Sequence, residues 1–186
     1  MEDFRILTGR CTGRPPDARP ACEMRCYDLL DGLGVEYARV DHDAAMTIFV
    51  CHEIEQVLGA PICKNLFLCN RQKTQYYLLL LHGDKVFHTK DFSKQLGCAR
   101  VSFASGEDMQ ALLGVTPGSA TVLALQNDAE RRVRLVIDRP VLAAERFACH
   151  PCRNTSTVAF ATCDLTQSIL PALGIEPTVI DLPEET

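Results

Sequence analysis

A lysine marks the start of the most apolar stretch of this sequence. Lys64 and Asn65 come directly before the apolar residues 66–68, and a second apolar run, residues 76–81, follows a short polar loop. If residues 66–68 form a buried strand, Lys64 is held at its mouth, where a fixed positive charge suits a phosphate or a carboxylate. The alternative, a lysine that extends past a strand end into solvent, is the more common situation for a single charged residue.

Four further polar or glycine positions could share a cleft with this pair. Gly118 and Ser119 lie in a predicted turn, and His150 and Asn154 lie near other strand ends. Polar side chains at strand termini, together with backbone N–H groups at a glycine turn, can line one pocket and stabilise a developing negative charge. Each also has a structural alternative, with His150 as a hydrogen-bonded core histidine and Asn154 as a turn former.

A Cys-x-x-Cys motif, formed by Cys149 and Cys152, suggests a second kind of chemistry. The pair could be a redox dithiol, or half of a zinc site completed by Cys22 and Cys26 or by Cys163. A strand pattern follows the motif, whereas a reactive thiol favours a helix amino terminus, and no second motif is present to complete a zinc site. Among ten cysteines one such spacing is expected by chance, and without an export signal most should be free thiols.

The charges are distributed unevenly along the chain. The net charge of −5 argues against nonspecific binding to nucleic acid, and no glycine-rich phosphate loop or Gly-x-Ser-x-Gly elbow is present. Residues 64–100, however, carry seven Lys or Arg against two Asp, between flanking segments that are each acidic. This basic island could be a phosphate-contacting surface, or it could consist of edge lysines that discourage aggregation.

The chain length predicts one domain with a full-sized core. Residues 1–22, rich in Gly and Pro, are expected to form an irregular amino-terminal arm, and residues 23–186 a single domain. No apolar run is long enough to cross a bilayer, and residues 1–10 lack the apolar region of a signal peptide, which together predict a cytoplasmic protein.

Hydrophobic periodicity and turn residues predict an α+β domain with a mixed, curled β-sheet and surrounding helices. Helices are predicted at 23–33, 47–58, 91–96, 105–113 and 162–173. Strands are predicted at 35–40, 66–68, 76–81, 86–89, 99–103, 121–125, 133–137, 141–142, 146–149, 156–161 and 178–182. The loops at 70–74 and 127–132 are each expected to close a hairpin.

Several groups of residues occur in the same order as the motifs of a known family. They are Lys64-Asn65-Leu66-Phe67-Leu68 with Gln72-Lys73, Leu113-Gly114-Val115-Thr116-Pro117-Gly118-Ser119, Gln126-Asn127-Asp128, and His150-Pro151 with Asn154-Thr155. In this combination the chain resembles the YbaK-like prolyl-tRNA editing domains, most closely the free-standing ProX or PrdX type of alanyl-tRNA(Pro) deacylase. The resemblance spans about residues 13–173, and residues 13–16 (Gly-Arg-Pro-Pro) also resemble the start of this branch.

The resemblance implies hydrolysis of the ester of mischarged tRNA(Pro), with alanine as the first expected amino acid and prolyl-tRNA synthetase as a candidate partner. It implies catalytic roles for Lys64 and Gly118 and substrate contacts for Asn65, Ser119, His150 and Asn154, without a metal or cofactor. An aminoacyl ester is already activated, so positioned water and a stabilised oxyanion can suffice, with the ribose hydroxyl assisting proton transfer. This would explain why the sequence offers no convincing protein base.

One position departs from the family pattern. The family's glycine turn continues as Gly-x-x-x-Pro, whereas Val122 stands here at the proline position. The departure puts the amino acid preference in question more than the fold. It also motivates an alternative function, a non-catalytic module of the same fold that binds tRNA or a synthetase.

Overall fold

The computed structural model describes residues 4–45 and 48–184, without the side chains of residues 48 and 49. Its strands are β1 (Cys11–Thr12), β2 (Tyr37–Asp41), β3 (Lys64–Asn70), β4 (Tyr76–Leu81), β5 (Val101–Phe103), β6 (Val133–Asp138), β7 (Arg146–Cys149), β8 (Ser156–Ala161) and β9 (Thr178–Ile180). Its helices are α1 (Ala21–Gly32), α2 (Ile48–Leu58), α3 (Thr89–Leu96), α4 (Gly106–Leu113), α5 (Arg139–Ala143), α6 (Thr162–Asp164) and α7 (Leu170–Ala172). A 3₁₀ helix covers Val122–Asn127, and a π-helical turn, Leu165–Ile169, joins α6 to α7.

The strands form two sheets, which confirms the α+β class and refines the single curled sheet expected from the sequence. The mixed sheet has the order β5-β3-β4-β6-β9, with antiparallel pairing of β3 to β4 and β5 and parallel pairing of β4–β6 and β6–β9. The other sheet is antiparallel, with the order β1-β2-β8-β7. The predicted hairpin of β3 and β4 is confirmed and brings Lys64 opposite Leu81.

Strand β4 separates two of the three hydrophobic clusters of the core. All six of its residues are buried, because strands cover both of its edges and other elements cover both of its faces. Its alternate side chains point to opposite faces. Leu78 and Leu80 belong to a cluster that reaches Phe147 and Phe160 of the antiparallel sheet, whereas Tyr77 packs on the other face with α3. The mixed sheet therefore lies between two apolar clusters, and Lys64 begins the strand beside its most buried member.

Three predicted strands are wrong. Residues 86–89 do not form a strand: residues 83–88 have no regular structure and α3 begins at Thr89. Residues 121–125 lie mostly in the 3₁₀ helix, and residues 141–142 lie in α5. Short apolar runs of this kind cannot be assigned to strand or helix by periodicity alone, so pairing with other strands decides. The hairpin expected at 127–132 is replaced by parallel pairing of β6 with β4.

The amino-terminal segment is attached to the antiparallel sheet. Within the predicted arm, β1 pairs with β2, and the backbone N–H groups of Leu7 and Thr8 donate to the carbonyl of Asp41 at 2.8 and 3.2 Å. A domain boundary near residue 22 stays a prediction. Within residues 4–45 and 48–184, no helix has both the length and the apolar character needed to cross a membrane.

Candidate functional site

A cavity of about 350 Å³ opens at the start of β3. Four of the six predicted site residues line it: Lys64, Asn65, Gly118 and His150. They come from β3, from the turn after α4 and from the end of β7, segments far apart in the sequence. The volume lies at the lower end of the roughly 300–1,000 Å³ that small-molecule sites occupy. The fold therefore brings a cation, an amide, a glycine turn and an imidazole to one concave surface.

The ammonium of Lys64 is held at the edge of this cavity. Its Nζ donates to the carbonyl oxygen of Lys85 at 2.7 Å, and the side chain is half-buried. That carbonyl belongs to an anchored residue, because the Lys85 ammonium is buried 3.0 Å from Asp138 and donates to the carbonyl of Leu182 at 2.6 Å. An ammonium has three donor protons. One fixes the position of Lys64, and two are left for a ligand.

Asn65 presents an acceptor to the cavity. Its Nδ2 donates to the carbonyl of Cys63 at 3.1 Å, which fixes the amide plane. Its Oδ1 is buried and makes no hydrogen bond with any described residue. A buried acceptor without a partner costs about 1–3 kcal/mol, so such atoms in a pocket commonly await a ligand donor.

The turn at residues 116–119 is formed as its sequence predicts. The N–H of Ser119 donates to the carbonyl of Thr116 at 3.0 Å, and Gly118 has φ of 86°. Pro117 at the second position and a glycine with positive φ at the third are the signature of a type II turn. Within the described chain the Gly118 N–H makes no hydrogen bond, and Gly118 itself lines the cavity. The turn can therefore offer a backbone donor to a bound carbonyl oxygen.

His150 is a neutral imidazole with one acceptor nitrogen. Burial lowers its pKa to about 4, so the ring is uncharged at neutral pH. Its Nδ1 lies 3.0 Å from the carbonyl of Ser156 and therefore carries the proton, while Thr157 Oγ1 lies 3.3 Å from the same nitrogen. Nε2 is then left as the acceptor, so His150 can accept a hydrogen bond from substrate or water but cannot supply a positive charge.

A second buried histidine, His42, contacts the same threonine hydroxyl as His150. His42 Nε2 lies 2.8 Å from Thr157 Oγ1, and its Nδ1 lies 2.8 Å from the carbonyl of Asp43. The carbonyl can only accept, so Nδ1 is the protonated nitrogen and the Thr157 hydroxyl donates to Nε2. Burial also lowers the pKa of His42. The Thr157 hydroxyl thus links two neutral rings whose centroids are 6.1 Å apart.

Two predicted substrate contacts do not reach the cavity. Ser119 is the buried last residue of the turn and Asn154 lies in the loop before β8, and neither lines the cavity. The carbonyl of Asn154 accepts from the N–H of Ala45 at 3.0 Å, which gives it a role in joining two loops. Their contact with substrate stays a prediction, and the geometry gives it no support.

The cysteine motif does not form a reactive centre. Cys149 is buried, and burial raises the pKa of its thiol, the opposite of what a reactive thiolate needs. The Sγ of Cys152 lies 3.4 Å from that of Cys26, both inside the core. In the part of the chain that the structure describes, no three His, Cys, Asp or Glu side chains are placed to share a metal ion.

Other cavity residues were missed from the sequence. Helix α2 contributes His52 and Glu55, whose side chains pair at 2.8 Å. The second carboxylate oxygen of Glu55 accepts from the N–H of Ile62 at 2.7 Å and so ties α2 to the approach to β3. The turn at residues 82–84 and the ring of Phe103 also line the cavity. The spacing of His52 and Glu55 on one helix face was a usable signal, whereas an exposed ring such as Phe103 has none.

Val122, at the proline position of the family, does not touch the cavity. Its side chain is fully buried in the main core, at the first position of the 3₁₀ helix. The neighbouring Ala120 lines the cavity instead. The side chain at the position of the departure therefore forms no part of the cavity wall.

Comparison with known proteins gives a family match across this site. The model of the aminoacyl-tRNA editing domain matches residues 42–167, a range that includes Lys64, Gly118 and His150.

The chain is similar to full-length relatives of this kind. The prolyl-tRNA editing protein ProX of Acetoanaerobium sticklandii is 31% identical over 82% of this chain and 93% of the relative. Prolyl-tRNA synthetase associated domain-containing protein 1 of Mus musculus is 30% identical over 82% of this chain and 91% of the relative. A solved structure described as a candidate trans-editing enzyme for prolyl tRNA synthetase matches with a TM-score of 0.63 at 14% identity, over 89% of this chain and 100% of that one, and it shows the fold.

Proposed function

The chain belongs to the aminoacyl-tRNA editing domain family and is an aminoacyl-tRNA deacylase, and we propose that its substrate is mischarged tRNA(Pro), first of all alanyl-tRNA(Pro). The names of the relatives support tRNA(Pro) as the substrate RNA, and the family resemblance supports alanine as the amino acid. We also propose that the protein is cytoplasmic and that prolyl-tRNA synthetase delivers the tRNA.

The observation that supports the site most is the shared cavity of Lys64 and Gly118. A fixed ammonium and a free backbone N–H on one small cavity match the two ends of an aminoacyl ester linkage. The ribose and phosphate side is anionic and the carbonyl side becomes anionic during reaction. In the proposed pose Lys64 contacts the 3′ end of the tRNA and Gly118 donates to the ester carbonyl oxygen.

The acceptors of the cavity suit the remaining part of the substrate. The α-ammonium of an aminoacyl group is a donor, and the unpaired Oδ1 of Asn65 and the Nε2 of His150 are acceptors. A neutral His150 is suited to this contact, because an imidazolium would repel an ammonium. These contacts would fix the acyl group so that its carbonyl carbon is open to water.

In the proposed reaction, water attacks the ester carbonyl carbon and the C–O bond to the ribose breaks. The negative charge that develops on the carbonyl oxygen is stabilised by the Gly118 N–H. The vicinal ribose hydroxyl relays the proton from water to the departing ribose oxygen, which gives a free amino acid and a tRNA with an intact 3′ end. No protein nucleophile takes part, in keeping with the neutral, low-pKa His150.

Selectivity would come from exclusion of the larger correct amino acid. A pocket discriminates weakly in favour of one extra methylene but strongly against a group that does not fit. The proline ring would have to clash locally with the walls formed by Cys63, Ala120 and their neighbours, since the whole cavity also has to hold part of the terminal ribose.

A side-by-side panel of tRNA(Pro) charged with alanine, cysteine, serine or proline tests the proposal. We expect ester loss to be fastest with alanine and undetectable above the spontaneous rate with proline. Equal, enzyme-independent loss of all four esters would contradict the proposed function, and a preference for another amino acid would correct its specificity.

A further inference from the structure

We infer that Phe103, together with the surface hollow that holds Lys90 and Arg100, binds the single-stranded 3′ end of the tRNA. In this arrangement the terminal adenine stacks on Phe103, and the preceding phosphates lie against the two cations. The identity of the RNA rests on the proposed function, whereas the binding surface is read from the structure itself.

Phe103 is unusually exposed to solvent for an aromatic residue. Its side chain is 62% exposed, the most exposed large hydrophobic residue in the described chain, and it also lines the cavity. Val86, which precedes in sequence the Phe87 ring that packs on Phe103, is also 51% exposed. Exposed apolar surface beside a pocket commonly marks a place where a ligand or partner binds. A base is such a ligand, because every base has an apolar face that stacks on an aromatic ring.

The ring of Phe103 is also held rigidly. It packs edge-on against Phe87, with centroids 5.9 Å apart and planes at 69°. Phe87 packs in the same way against Phe92 at 6.0 Å, and Phe92 against Tyr77 at 5.6 Å. Phe92 and Tyr77 are fully buried. A row of edge-to-face rings thus connects the exposed ring to the core, and such pairing fixes ring orientation. A stacking platform needs this property and an incidental surface residue does not.

The basic island separates into structural and available cations. Lys73 pairs with Asp108 at 2.7 Å, and Lys85 is buried against Asp138. Lys90 and Arg100 are exposed and form no ion pair with any described residue. They line a hollow of about 370 Å³ with the hydroxyl residues Thr89 and Ser93, and no acidic residue lines it. Two free cations with hydroxyl donors form a surface suited to phosphate.

The spacing suits a short single strand. Arg100 precedes Phe103 by three residues, which span at most roughly 10 Å of extended chain. At roughly 3.4 Å per stacked nucleotide this is about three nucleotides. The backbone positions of Arg100 and Phe103 are therefore no farther apart than about three nucleotides can reach, which lets the terminal base stack on Phe103 while the next phosphates lie at Lys90 and Arg100.

Binding of uncharged tRNA(Pro) tests the stacking contact independently of hydrolysis. The probes are the tRNA with its terminal adenosine and the same tRNA shortened by that nucleotide, measured by fluorescence anisotropy. We expect Phe103→Leu to weaken binding of the full tRNA by about 5- to 150-fold, the range of one lost stacking contact. The shortened tRNA should bind wild type and Phe103→Leu alike.

Phe103→Tyr is the matched control, because tyrosine keeps the aromatic face while leucine keeps only apolar bulk. It should bind the full tRNA within about twofold of wild type. Equal binding by Phe103→Leu and Phe103→Tyr would overturn the stacking contact. So would a loss of synthetase binding without a loss of tRNA binding, which would make this surface a protein-docking site.

The cations are tested by salt dependence. Lys90→Glu and Arg100→Glu should each weaken binding and make the slope of log affinity against log salt shallower by about 0.7. The control is Arg10→Glu, an exposed arginine beside β1 in the other sheet, which should leave both quantities unchanged. Equal slopes for all three variants would overturn this part of the inference.

These outcomes are separable from those of the proposed function. If alanyl-tRNA(Pro) is not hydrolysed but uncharged tRNA binding depends on Phe103, the reaction is wrong and the binding surface stands. If hydrolysis is confirmed and tRNA binding ignores Phe103, Lys90 and Arg100, the binding surface is wrong and the reaction stands.

Discussion

Lys64 is the residue whose charge the proposed reaction uses most directly. Its side chain is half-buried and gives one hydrogen bond to Lys85, so its removal should cost only about 1 kcal/mol of stability. Lys64→Met keeps the bulk of the side chain and removes the ammonium. We expect kcat/KM for alanyl-tRNA(Pro) to fall by about 100- to 1,000-fold, the usual effect of losing one charged or oxyanion contact.

The matched control for this variant is Lys94→Met, an exposed lysine in the last turn of α3. It should retain wild-type kcat/KM, and both variants should show unfolding midpoints close to wild type. Undiminished deacylation by Lys64→Met would remove this lysine from the reaction.

Single residues were predictable where their chemistry needs a particular local backbone. Gly118 was identified because Pro-Gly fixes the turn that presents its N–H, and Lys64 because an isolated cation precedes a buried strand. The same reasoning predicts substrate contacts for Ser119 and Asn154, which do not line the cavity, so these contacts stay a prediction. Which side a turn residue faces depends on the elements packed behind it, and sequence spacing does not contain that information.

At the scale of elements, the buried pair of Lys85 and Asp138 joins three separate segments. Lys85 lies between β4 and α3, Asp138 ends β6, and Asp138 also accepts from the N–H of Leu182 after β9 at 2.9 Å. Breaking a buried ion pair by removing one partner leaves the other charge without compensation. Lys85→Met should therefore lower the free energy of unfolding by about 3–5 kcal/mol.

The double variant Lys85→Met with Asp138→Leu supplies the comparison. It leaves no buried charge, so urea unfolding should show it to be more stable than Lys85→Met alone. If the double variant is the less stable of the two, Asp138 acts mainly through its hydrogen bond to Leu182 and not through the ion pair. In either variant, loss of order near residue 85 should also reduce activity, because the Lys85 carbonyl positions Lys64.

The 3₁₀ helix allows a direct test of the family departure at Val122. Proline is favoured at the first position of a helix, where Val122 lies, because its missing N–H would have no helical partner there. Val122→Pro should therefore fold, lose less than about 2 kcal/mol of stability, and keep the same amino acid preference. The measurement is the ratio of deacylation rates for alanine and serine esters, and a changed ratio would mean that this position shapes the pocket through the backbone.

Elements with strong local signals were predicted correctly. The β3–β4 hairpin has two long apolar runs around a polar loop, and α4 has the capping box of Ser105 and Asp108 that its sequence suggests. The segments at 86–89, 121–125 and 141–142 failed because each is a short apolar run without a partner strand. The apolar residues at 121–125 and Val141 are buried from helical turns, so their burial did not require a strand, whereas Val86 is 51% exposed and lies in a loop.

For the whole molecule, the division into two sheets could not be foreseen from strand count. The parallel pairing of β4 with β6 joins residues more than fifty positions apart, and the cavity depends on it because β6 carries the Asp138 that anchors Lys85. Sequence patterns alone identify the lysine and the glycine turn. Only long-range packing brings the two to the same cavity.

Acidification should destabilise the whole molecule through its buried histidines. The pKa of His150 is about 4 in the folded chain, below its usual 6.5, so between these pH values the unfolded chain binds a proton that the folded chain does not. Stability is therefore fully present above pH 6.5 and falls as the pH is lowered toward 4, by about 3 kcal/mol from this residue. His42 acts in the same direction, since burial lowers its pKa too.

The acidic residues extend this loss to lower pH. Burial alone would raise the pKa of Asp41, but hydrogen bonds from Arg39 and Arg19 hold it below its usual value. A carboxyl group with a lowered pKa stabilises the fold above its unfolded pKa and loses that effect as pH falls further. Acid unfolding should thus begin with the histidines near pH 6 and continue with carboxylates below about pH 4.

His150→Asn isolates the histidine contribution, because the asparagine amide can still donate to the Ser156 carbonyl but does not titrate. Urea unfolding from pH 7.5 to pH 4.5 should show a shallower pH dependence for His150→Asn than for wild type, while above pH 7 the two curves run parallel. Parallel curves over the whole range would mean that His150 takes up its proton equally in the folded and unfolded chains. The neutral acceptor that the proposed substrate contact requires would then be absent at mildly acidic pH.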